Sequence, residues 1–354
     1  MSALPQFVGE TNEIALVLLG TGVVGGALLR LLATPAAARL RLVGVANSTR
    51  QLAQAAGIAH EIGAAALAYA EAGRDDDALL AALDASGAAR RVIVDATASI
   101  ETASRHADWL AAGYDVVTAN KDAAAGSAKT WSALRGACLR SSAAYGDAAT
   151  VGAGLPVLST VRRLRACGDP LLAFEGVFSG SLSWLFNHYD GTRPFSALLR
   201  EARAFGYTEP DPRLDLGGAD VVRKLVILAR AAGHTIDGED VRVESLVPES
   251  LRDVDVHTFL DRADELDAAI ETRRENAQEQ GCVLRHLAAL DEDGNARVGL
   301  VAVTADHPAA RLAGTDNLFA LTTQRYRARP LVIQGPGAGA EVTAQALLGD
   351  VLLL

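Results

Sequence analysis

The first 150 residues alternate between short apolar runs and longer stretches of helical composition. The apolar runs, rich in Val, Ile and Leu, lie at 14–19, 40–46, 91–96 and 114–119. The Ala-rich stretches at 53–70 and 78–89 carry recurring Leu or Ile, as amphipathic helices do. This alternation predicts an α/β fold, a doubly wound parallel sheet covered by helices on both faces, over residues 1–150.

The pattern changes after residue 150. Longer polar loops and aromatic residues follow, and a further strand-like run occupies 297–305. We predict a second, α+β domain over 151–325. The tail, 326–354, is again strand, glycines and helix, and we expect it to return to the first domain.

One helix, predicted over 219–232 and ended by Gly233, carries a lysine and an aspartate beside its apolar face. On a helical wheel Lys224 lies between apolar positions, with Asp220 one turn earlier on the same side, while Arg223 and Arg230 form a polar face. The two residues could be an exposed i,i+4 pair, which stabilises a helix by about 0.2–0.5 kcal/mol. The apolar flanks favour a partly buried lysine instead, which is costly unless it is paired or used.

Composition narrows the possible partners. The chain has 354 residues, half of them hydrophobic, with a net charge of -10, which disfavours nucleic acid and favours a small-molecule substrate. No long charge-free apolar run and no signal peptide is evident, so we expect a soluble, cytoplasmic protein without membrane contact. The dispersed Cys138, Cys167 and Cys282 predict reduced thiols rather than a metal cluster.

The first strand leads into a glycine-rich turn with the spacing GxGxxG. Gly20 permits the tight turn, Gly22 lets a pyrophosphate approach the backbone, and Gly25 allows the following helix to pack closely. Because an apolar strand precedes the turn and a helix follows it, we predict a Rossmann-type dinucleotide site. An ordinary βα turn is the alternative.

The end of the second strand bears on which dinucleotide binds. Asn47 stands where an NAD site usually has a carboxylate, and Ser48 and Arg50 follow it. An amide, a hydroxyl and a guanidinium suit a 2′-phosphate, so NADP is favoured over NAD. Arg50 could instead point into solvent.

Other candidate residues follow the later strands and precede the helix at 219–232. Thr97, Asn120 and Lys121 would lie at the carboxyl edge of the sheet, where ligands bind, although Thr97 could be a helix cap. Two prolines stiffen the loop that holds Glu209 and Asp215, and fixed carboxylates suit a substrate with an amine. A solvated acidic loop is the alternative.

Six motifs span nearly the whole chain in order: GTGVVG, VVTANK, ATVGAGLPV, GVFSGSLSWLF, GYTEPDPRLDLGGADVVRKLVILAR and PLVIQGPGAGAEVTA. Together they resemble homoserine dehydrogenase. The sequence is especially similar to the dehydrogenase half of the bifunctional aspartokinase-homoserine dehydrogenases. A single-function version without kinase or ACT domain is therefore expected, and the resemblance suggests a homodimer.

The resemblance implies reversible reduction of L-aspartate 4-semialdehyde to L-homoserine, on the route to threonine and methionine. It implies that Lys224 is the catalytic general acid or base, that Lys121 is a second lysine at the reacting oxygen, and that Asp220 orients Lys224. The positions matching the substrate pocket are Glu209, Asp215, Asp220, Ser179 and Gly180. The positions matching cofactor contacts are Gly22, Val23, Val24, Thr97, Thr118, Lys121 and Gly339.

One departure concerns a monovalent cation. The family often has a glutamate where this chain has Ala148, and backbone carbonyls two to six residues further on complete the site. The carbonyls of Val151, Ala153 and Leu155 are available and Asp147 could substitute, but a cation site is in doubt.

Two rival functions remain open at this point. Another two-domain dehydrogenase of an amino-acid-derived aldehyde or imine is one of them. An aspartate-semialdehyde dehydrogenase, in particular, would need a cysteine nucleophile, and none of the three cysteines lies in a motif. A non-catalytic NADP-binding regulator is the other, and the retained lysines and carboxylates argue against it.

Overall fold

The computed structural model describes residues 14–59, 67–70 and 73–354, which form two compact units. The first unit comprises the described residues up to Ala124, together with Lys129–Thr150 and Gly339–Leu354. The second comprises Ala125–Ala128 and Val151–Ala338. The sequence interpretations that fall on residues 1–13 and on 60–66 of the predicted helical stretch lie outside the described residues.

The first unit is built on a six-stranded sheet in the order β3-β2-β1-β4-β5-β6. Its strands are β1 (Ile14–Leu19), β2 (Leu40–Ala46), β3 (Gln51–Ala53), β4 (Arg90–Asp95), β5 (Asp115–Thr118) and β6 (Tyr145–Gly146). All neighbours are parallel except β2 and β3, which form an antiparallel edge. The predicted Rossmann-type α/β fold is confirmed, and the structure adds the short antiparallel strand β3.

Helices cover both faces of this sheet. The helices of this part of the chain are Val23–Leu32, Asp76–Ala85, Ile100–Ser104, His106–Ala111, Asp122–Ala125, Ala128–Ser141 and Ala340–Leu352. Along β1, Leu16 and Leu18 pack in one core cluster while Val17 and Leu19 pack in another. Alternate side chains of a strand point to opposite faces, so a strand buried on both sides reads as a continuous apolar run.

The second unit contains a mostly antiparallel sheet in the order β12-β11-β7-β9-β10-β8. Its strands are β7 (Leu171–Val177), β8 (Val241–Val243), β9 (Cys282–Leu290), β10 (Ala296–Thr304), β11 (Asp316–Thr323) and β12 (Leu331–Pro336). Because β12 pairs with β11, the chain changes units between Ala338 and Gly339, later than the boundary at 326 expected from the sequence.

Helices of the second unit bury a core against its sheet. They are Val157–Ala166, Gly180–His188, Phe195–Ala204, Arg213–Leu216, Ala219–Ala232, Val256–Asp261 and Asp267–Glu279. Leu185 and Phe195 of these helices share a buried cluster with Leu284 and Leu300 of the sheet. The predicted helix end at Gly233 is confirmed, since this residue has φ +104°. None of the helices in the described ranges has the length and apolar character needed to cross a bilayer.

Candidate active site

The glycine turn of the first unit leaves its backbone accessible. Gly20 has φ +93°, a conformation that side chains disfavour, and a Cβ on Gly25 would collide with the carbonyl oxygen of Gly20. A Cβ on Gly22, by contrast, would have no atom within 4 Å, so the surface of this residue is open. The turn therefore has the geometry that the spacing predicts, with a tight bend, a close helix and an open central residue.

The helix that follows this turn, Val23–Leu32, begins without a capping side chain. Its first backbone N–H groups, together with the helix dipole, suit an anionic group such as a phosphate. The turn opens into a cleft of about 1130 Å³ that Gly20, Gly22, Asn47, Ser48 and Thr97 help to line. Val23 is 80% exposed at the helix start, while Val24 packs partly on the core. These features fit a dinucleotide.

The end of β2 is organised by Asn47. Its side-chain oxygen accepts hydrogen bonds from the backbone N–H groups of Thr49 and Arg50, both at 2.8 Å. Asn47 and Ser48 line the cleft, whereas Arg50 is not among its lining residues and donates its guanidinium to the carbonyl of Ala68. Of the three residues predicted to bind a 2′-phosphate, Asn47 and Ser48 thus line the cleft. Arg50 is exposed and follows them in the chain without lining the cleft.

The carboxyl ends of β4 and β5 hold a second group of candidates. Thr97 lines the cleft and donates its hydroxyl to Asp95 at 2.7 Å, so it is not a simple helix cap. Thr118 is fully buried, where its hydroxyl accepts from the N–H of Asn120 at 2.8 Å. Thr118 therefore acts on the loop that carries Asn120 and the half-buried Lys121 rather than presenting its own side chain.

Lys224 is the central feature of the second unit. Its ammonium lies 3.0 Å from the Asp220 carboxylate and donates to the carbonyl of Phe178 at 2.8 Å. The Lys224 side chain is 11% exposed, so the prediction of a buried, paired lysine is confirmed. Arg223 lies 3.5 Å from the same carboxylate. An ammonium held in this way, shielded from water, can exchange a proton with a bound substrate.

The predicted polar face of this helix is wrong at Arg230. This side chain is buried, and its guanidinium donates to the carbonyl of Ile236 at 3.0 Å and pairs with Asp237. Burial lowers the pKa of the Arg230 guanidinium below its usual value, although Asp237 acts in the opposite direction. The helical wheel missed this contact because the partners follow the helix in a loop that folds back on it.

Asp215 is held in place on the acidic loop. Its two oxygens accept from the Ser181 hydroxyl at 2.6 Å and from the backbone N–H of Glu209 at 2.9 Å. Ser179 in turn lies 2.8 Å from Ser181, hydroxyl to hydroxyl. Burial raises the pKa of Asp215 despite these hydrogen bonds. A carboxylate that is fixed and desolvated in this way is suited to bind a cation.

The remaining substrate candidates lie around this network. Gly180 begins the helix Gly180–His188, where a Cβ would meet the carbonyl oxygen of Thr315 at 3.1 Å. The side chain of Glu209 is exposed on the loop, so the structure joins Glu209 to Asp215 through its backbone. Lys121 and Gly339, which precedes the helix Ala340–Leu352, belong to the first unit.

The suggested cation carbonyls lie on a bent loop. Gly152 and Ala153 are both left-handed, with φ +76° and +50°, which turns successive carbonyls in different directions. The Leu155 carbonyl accepts from the N–H of Val157 at 2.8 Å. Ala148 donates its backbone N–H to Asp350 at 2.9 Å. The replacement of the family's glutamate by Ala148 argues against a cation held by the carbonyls of residues 151, 153 and 155, and this stays a prediction.

The three cysteines, which lie within the described ranges, do not form disulfides. Cys167 is exposed, Cys138 and Cys282 are half-buried, and all three are free thiols. Among the described residues, no group of three or more His, Cys, Asp or Glu side chains is arranged to hold a metal ion.

Sequence reasoning missed two residues that contact the site. Ser181, which binds Asp215, lies in the motif GVFSGSLSWLF and could have been found from its neighbours Ser179 and Gly180. Asn317 donates to the Phe178 carbonyl that also binds Lys224, yet it is 139 residues from Phe178 in the chain. No local pattern could reveal that contact.

The first unit has the sheet order, glycine turn and cleft of a dinucleotide-binding protein of the Rossmann class. The family model described as "Homoserine dehydrogenase, NAD binding domain" matches residues 20–144, and the one described as "Homoserine dehydrogenase" matches residues 156–352. The chain belongs to the homoserine dehydrogenase family, whose activity is an oxidation or reduction at a CH–OH group.

Relatives of known sequence agree with this assignment. The bifunctional aspartokinase/homoserine dehydrogenase 2 of Escherichia coli K12 is 42% identical over 347 residues, which cover 96% of this chain and 43% of the relative. The homoserine dehydrogenase of Schizosaccharomyces pombe is 40% identical over 269 residues, covering 74% of this chain and 72% of the relative. The chain thus spans less than half the length of the bifunctional relatives.

A solved structure has the same fold. A hyperthermophilic archaeal homoserine dehydrogenase in complex with NADPH superposes with a TM-score of 0.72 and covers 96% of each chain. Its sequence is 19% identical, so the likeness concerns the fold.

Proposed function

We propose that this chain is a homoserine dehydrogenase that interconverts L-homoserine and L-aspartate 4-semialdehyde, on the route to threonine and methionine. The observation that carries the proposal is the Lys224 ammonium, which is nearly buried and lies between the Asp220 carboxylate and the Phe178 carbonyl. Membership of the family supplies the substrate class.

The acidic loop is proposed to bind the amino end of the substrate. L-Homoserine carries an ammonium group, and Asp215 offers a fixed carboxylate oriented by Ser181 and by the backbone of Glu209. Because Asp215 is desolvated, an ion pair with an ammonium is stronger there than in bulk water. Glu209, exposed on the same loop, would add a second negative charge.

Lys224 is proposed to move the proton. The bound nicotinamide cofactor would provide the hydride chemistry, as acceptor in its oxidised form (NADP) when homoserine is oxidised and as donor in its reduced form (NADPH) when the semialdehyde is reduced. In oxidation, Lys224 would take the proton of the substrate hydroxyl as general base, and in reduction its ammonium would return it. Asp220 orients the amine and stabilises its charged form. Lys121 would supply a second positive charge to the reacting oxygen.

The cofactor is proposed to lie in the cleft at the glycine turn. Gly20, Gly22 and the helix start at Val23 would hold the pyrophosphate, while Asn47 and Ser48 would face the adenosine ribose. NADP is proposed in preference to NAD because β2 ends in an amide rather than a carboxylate.

We propose a homodimer as the working state, as the sequence resemblance suggests. The oligomeric state can be measured by light scattering of the purified chain, and a monomeric mass would contradict it. A cytoplasmic location stays a prediction.

The function is tested by one assay on the purified protein. We expect L-homoserine to drive the reduction of NADP, and of NAD more slowly, with D-homoserine and L-serine as controls that give little turnover. The reverse assay, with L-aspartate 4-semialdehyde and NADPH, should also proceed. Absence of homoserine-dependent turnover with both cofactors would rule out the proposal and leave another amino-acid-derived aldehyde as the substrate to test.

A further inference from the structure

The carbonyl oxygen of Phe178 accepts two hydrogen bonds. One comes from the Lys224 ammonium at 2.8 Å and the other from the side-chain amide of Asn317 at 3.0 Å. Asn317 is fully buried on β11 and Phe178 directly follows β7. The two nitrogens are therefore about 6 Å apart at most, since both touch one oxygen.

The pairing of β11 with β7 sets this contact. The antiparallel register places Leu318 opposite Val177, so the preceding residue of β11 lies next to the residue that follows β7. The rings of Phe178 and Phe319 also pack, with centroids 4.5 Å apart. The Phe178 residue is thus held by contacts with the sheet, in addition to the hydrogen bond that its carbonyl accepts from Lys224.

The surroundings of Asn317 indicate that burying its side-chain amide is energetically unfavourable. The side-chain oxygen of Asn317 is buried and has no hydrogen-bond partner within the described part of the chain. A Cβ on Gly337 would overlap the Asn317 side chain, so the chain passes Asn317 with a glycine. A buried polar group with an unsatisfied atom destabilises the fold, and a leucine of similar size would avoid that penalty.

We propose that Asn317 is a positioning residue for the lysine, a proposal that rests on the function proposed above for Lys224. Its amide donates to the Phe178 carbonyl and holds that oxygen where the ammonium binds it. An amide is the suitable group because it donates a hydrogen bond while staying uncharged. A carboxylate at this position could only accept, and its charge would favour the protonated form of the nearby amine.

The test compares two substitutions of Asn317 with the same two substitutions of Asn187. Asn187 is a matched control because its amide also donates to a backbone carbonyl, that of Gly314, and its side-chain oxygen is likewise buried without a partner within the described ranges. The oxygen that Asn187 binds is not the one that holds Lys224. The variants are Asn317→Leu, Asn317→Asp, Asn187→Leu and Asn187→Asp.

Two readouts are measured on each folded variant. Asn317→Leu should lower kcat for homoserine oxidation about 10- to 100-fold with an unchanged KM for NADP, because a small displacement of the general base slows the chemical step. Asn317→Asp should raise the pH midpoint for acetylation of Lys224, followed by mass spectrometry, by about one pH unit. Both Asn187 variants should change the unfolding temperature while leaving these two readouts as in the wild type.

Acetylation does not depend on the identity of the substrate. If the wild type fails to oxidise homoserine, the proposed function fails and the Lys224 midpoint alone tests Asn317. If Asn317→Leu does not fold, the pH midpoint for acetylation of Lys224 in the isosteric variant Asn317→Asp tests the proposal. A folded Asn317→Asp with the wild-type midpoint, or a folded Asn317→Leu with the wild-type kcat, would overturn the proposal.

Discussion

The ammonium of Lys224 lies 3.0 Å from the carboxylate of Asp220, one helical turn earlier, and only 11% of the lysine side chain is exposed. An exposed pair of this kind stabilises a helix by about 0.2–0.5 kcal/mol. Here the lysine is desolvated, so its charge interacts more strongly with Asp220 and with any group that replaces water beside it. We therefore expect the pair to matter more for the proposed proton transfer than for the stability of the helix.

Replacing Lys224 tests its role directly. Lys224→Met should lower kcat for homoserine oxidation by about 10²- to 10⁴-fold, because the general base is lost while the apolar stem is kept. NADP affinity, measured by fluorescence titration, should stay near that of the wild type. Lys129→Met, on the exposed side of the helix Ala128–Ser141, is the control and should leave kcat unchanged. Substantial turnover in Lys224→Met would disprove the assigned role.

Asp215 should bind substrate at the expense of stability. Burial raises the pKa of Asp215 in the folded chain, so folding favours its protonated form. The stability gained by burying protonated Asp215 is present at low pH, and it is lost as the pH rises through the folded-state pKa of this group. Asp215→Asn should therefore increase the free energy of unfolding at neutral pH, and the gain should disappear below the unfolded pKa of about 3.9.

The same variant should raise the KM for homoserine by about 10- to 100-fold, because a charged partner of the substrate ammonium is removed. The Ser181 hydroxyl, which donates to one oxygen of Asp215, can still donate to the amide oxygen of the variant. The hydrogen bond from the backbone N–H of Glu209 to the other oxygen is lost, because an amide nitrogen cannot accept it. Asp211→Asn is the control, and its effect on the free energy of unfolding should have the opposite sign. A hydrogen bond from Arg213 lowers the pKa of Asp211, so removing this carboxylate should destabilise the fold at neutral pH. A less stable Asp215→Asn at neutral pH would contradict the argument.

Arg50 should distinguish NADP from NAD. Arg50→Ala should lower kcat/KM for NADP about tenfold and change that for NAD little, because a guanidinium stabilises a 2′-phosphate that NAD lacks. Arg39→Ala is the matched control, since Arg39 is also exposed and donates to a backbone carbonyl, that of Leu352. Equal losses with both cofactors would show that Arg50 supports the turn rather than the phosphate.

His286 should make the fold sensitive to acid. Burial lowers the pKa of this histidine on β9 from 6.5 to about 4, with a smaller contribution from Arg273. Because the folded-state pKa is lowered, the stability that comes from burying neutral His286 is fully present above the unfolded-state pKa of 6.5. This stability is lost as the pH falls from 6.5 to about 4. The loss amounts to about 3 kcal/mol.

Denaturant unfolding of the wild type and of His286→Leu between these pH values measures this contribution. The variant should lose less stability on acidification, because leucine has no charge to bury. Parallel pH profiles for the two proteins would exclude His286 as the source.

Local patterns along the chain were sufficient for much of the fold. The apolar runs at 14–19 and 40–46 coincide with β1 and β2 as the structure has them, and the helix Ala219–Ala232 ends at Gly233 as predicted. The burial of Lys224 followed from its flanking apolar positions. Each of these features depends on residues within a few turns or one strand, so the sequence period carries the information.

Contacts between distant segments required the folded chain. The antiparallel edge β3, the place of β12 in the second sheet and the burial of Arg230 depend on which strands and loops become neighbours. The same is true of Asn317, which meets Phe178 across 139 residues. Strand pairing results from the collective packing of the core, so a residue's partner on another strand is set by the whole arrangement and leaves no mark in its own local sequence.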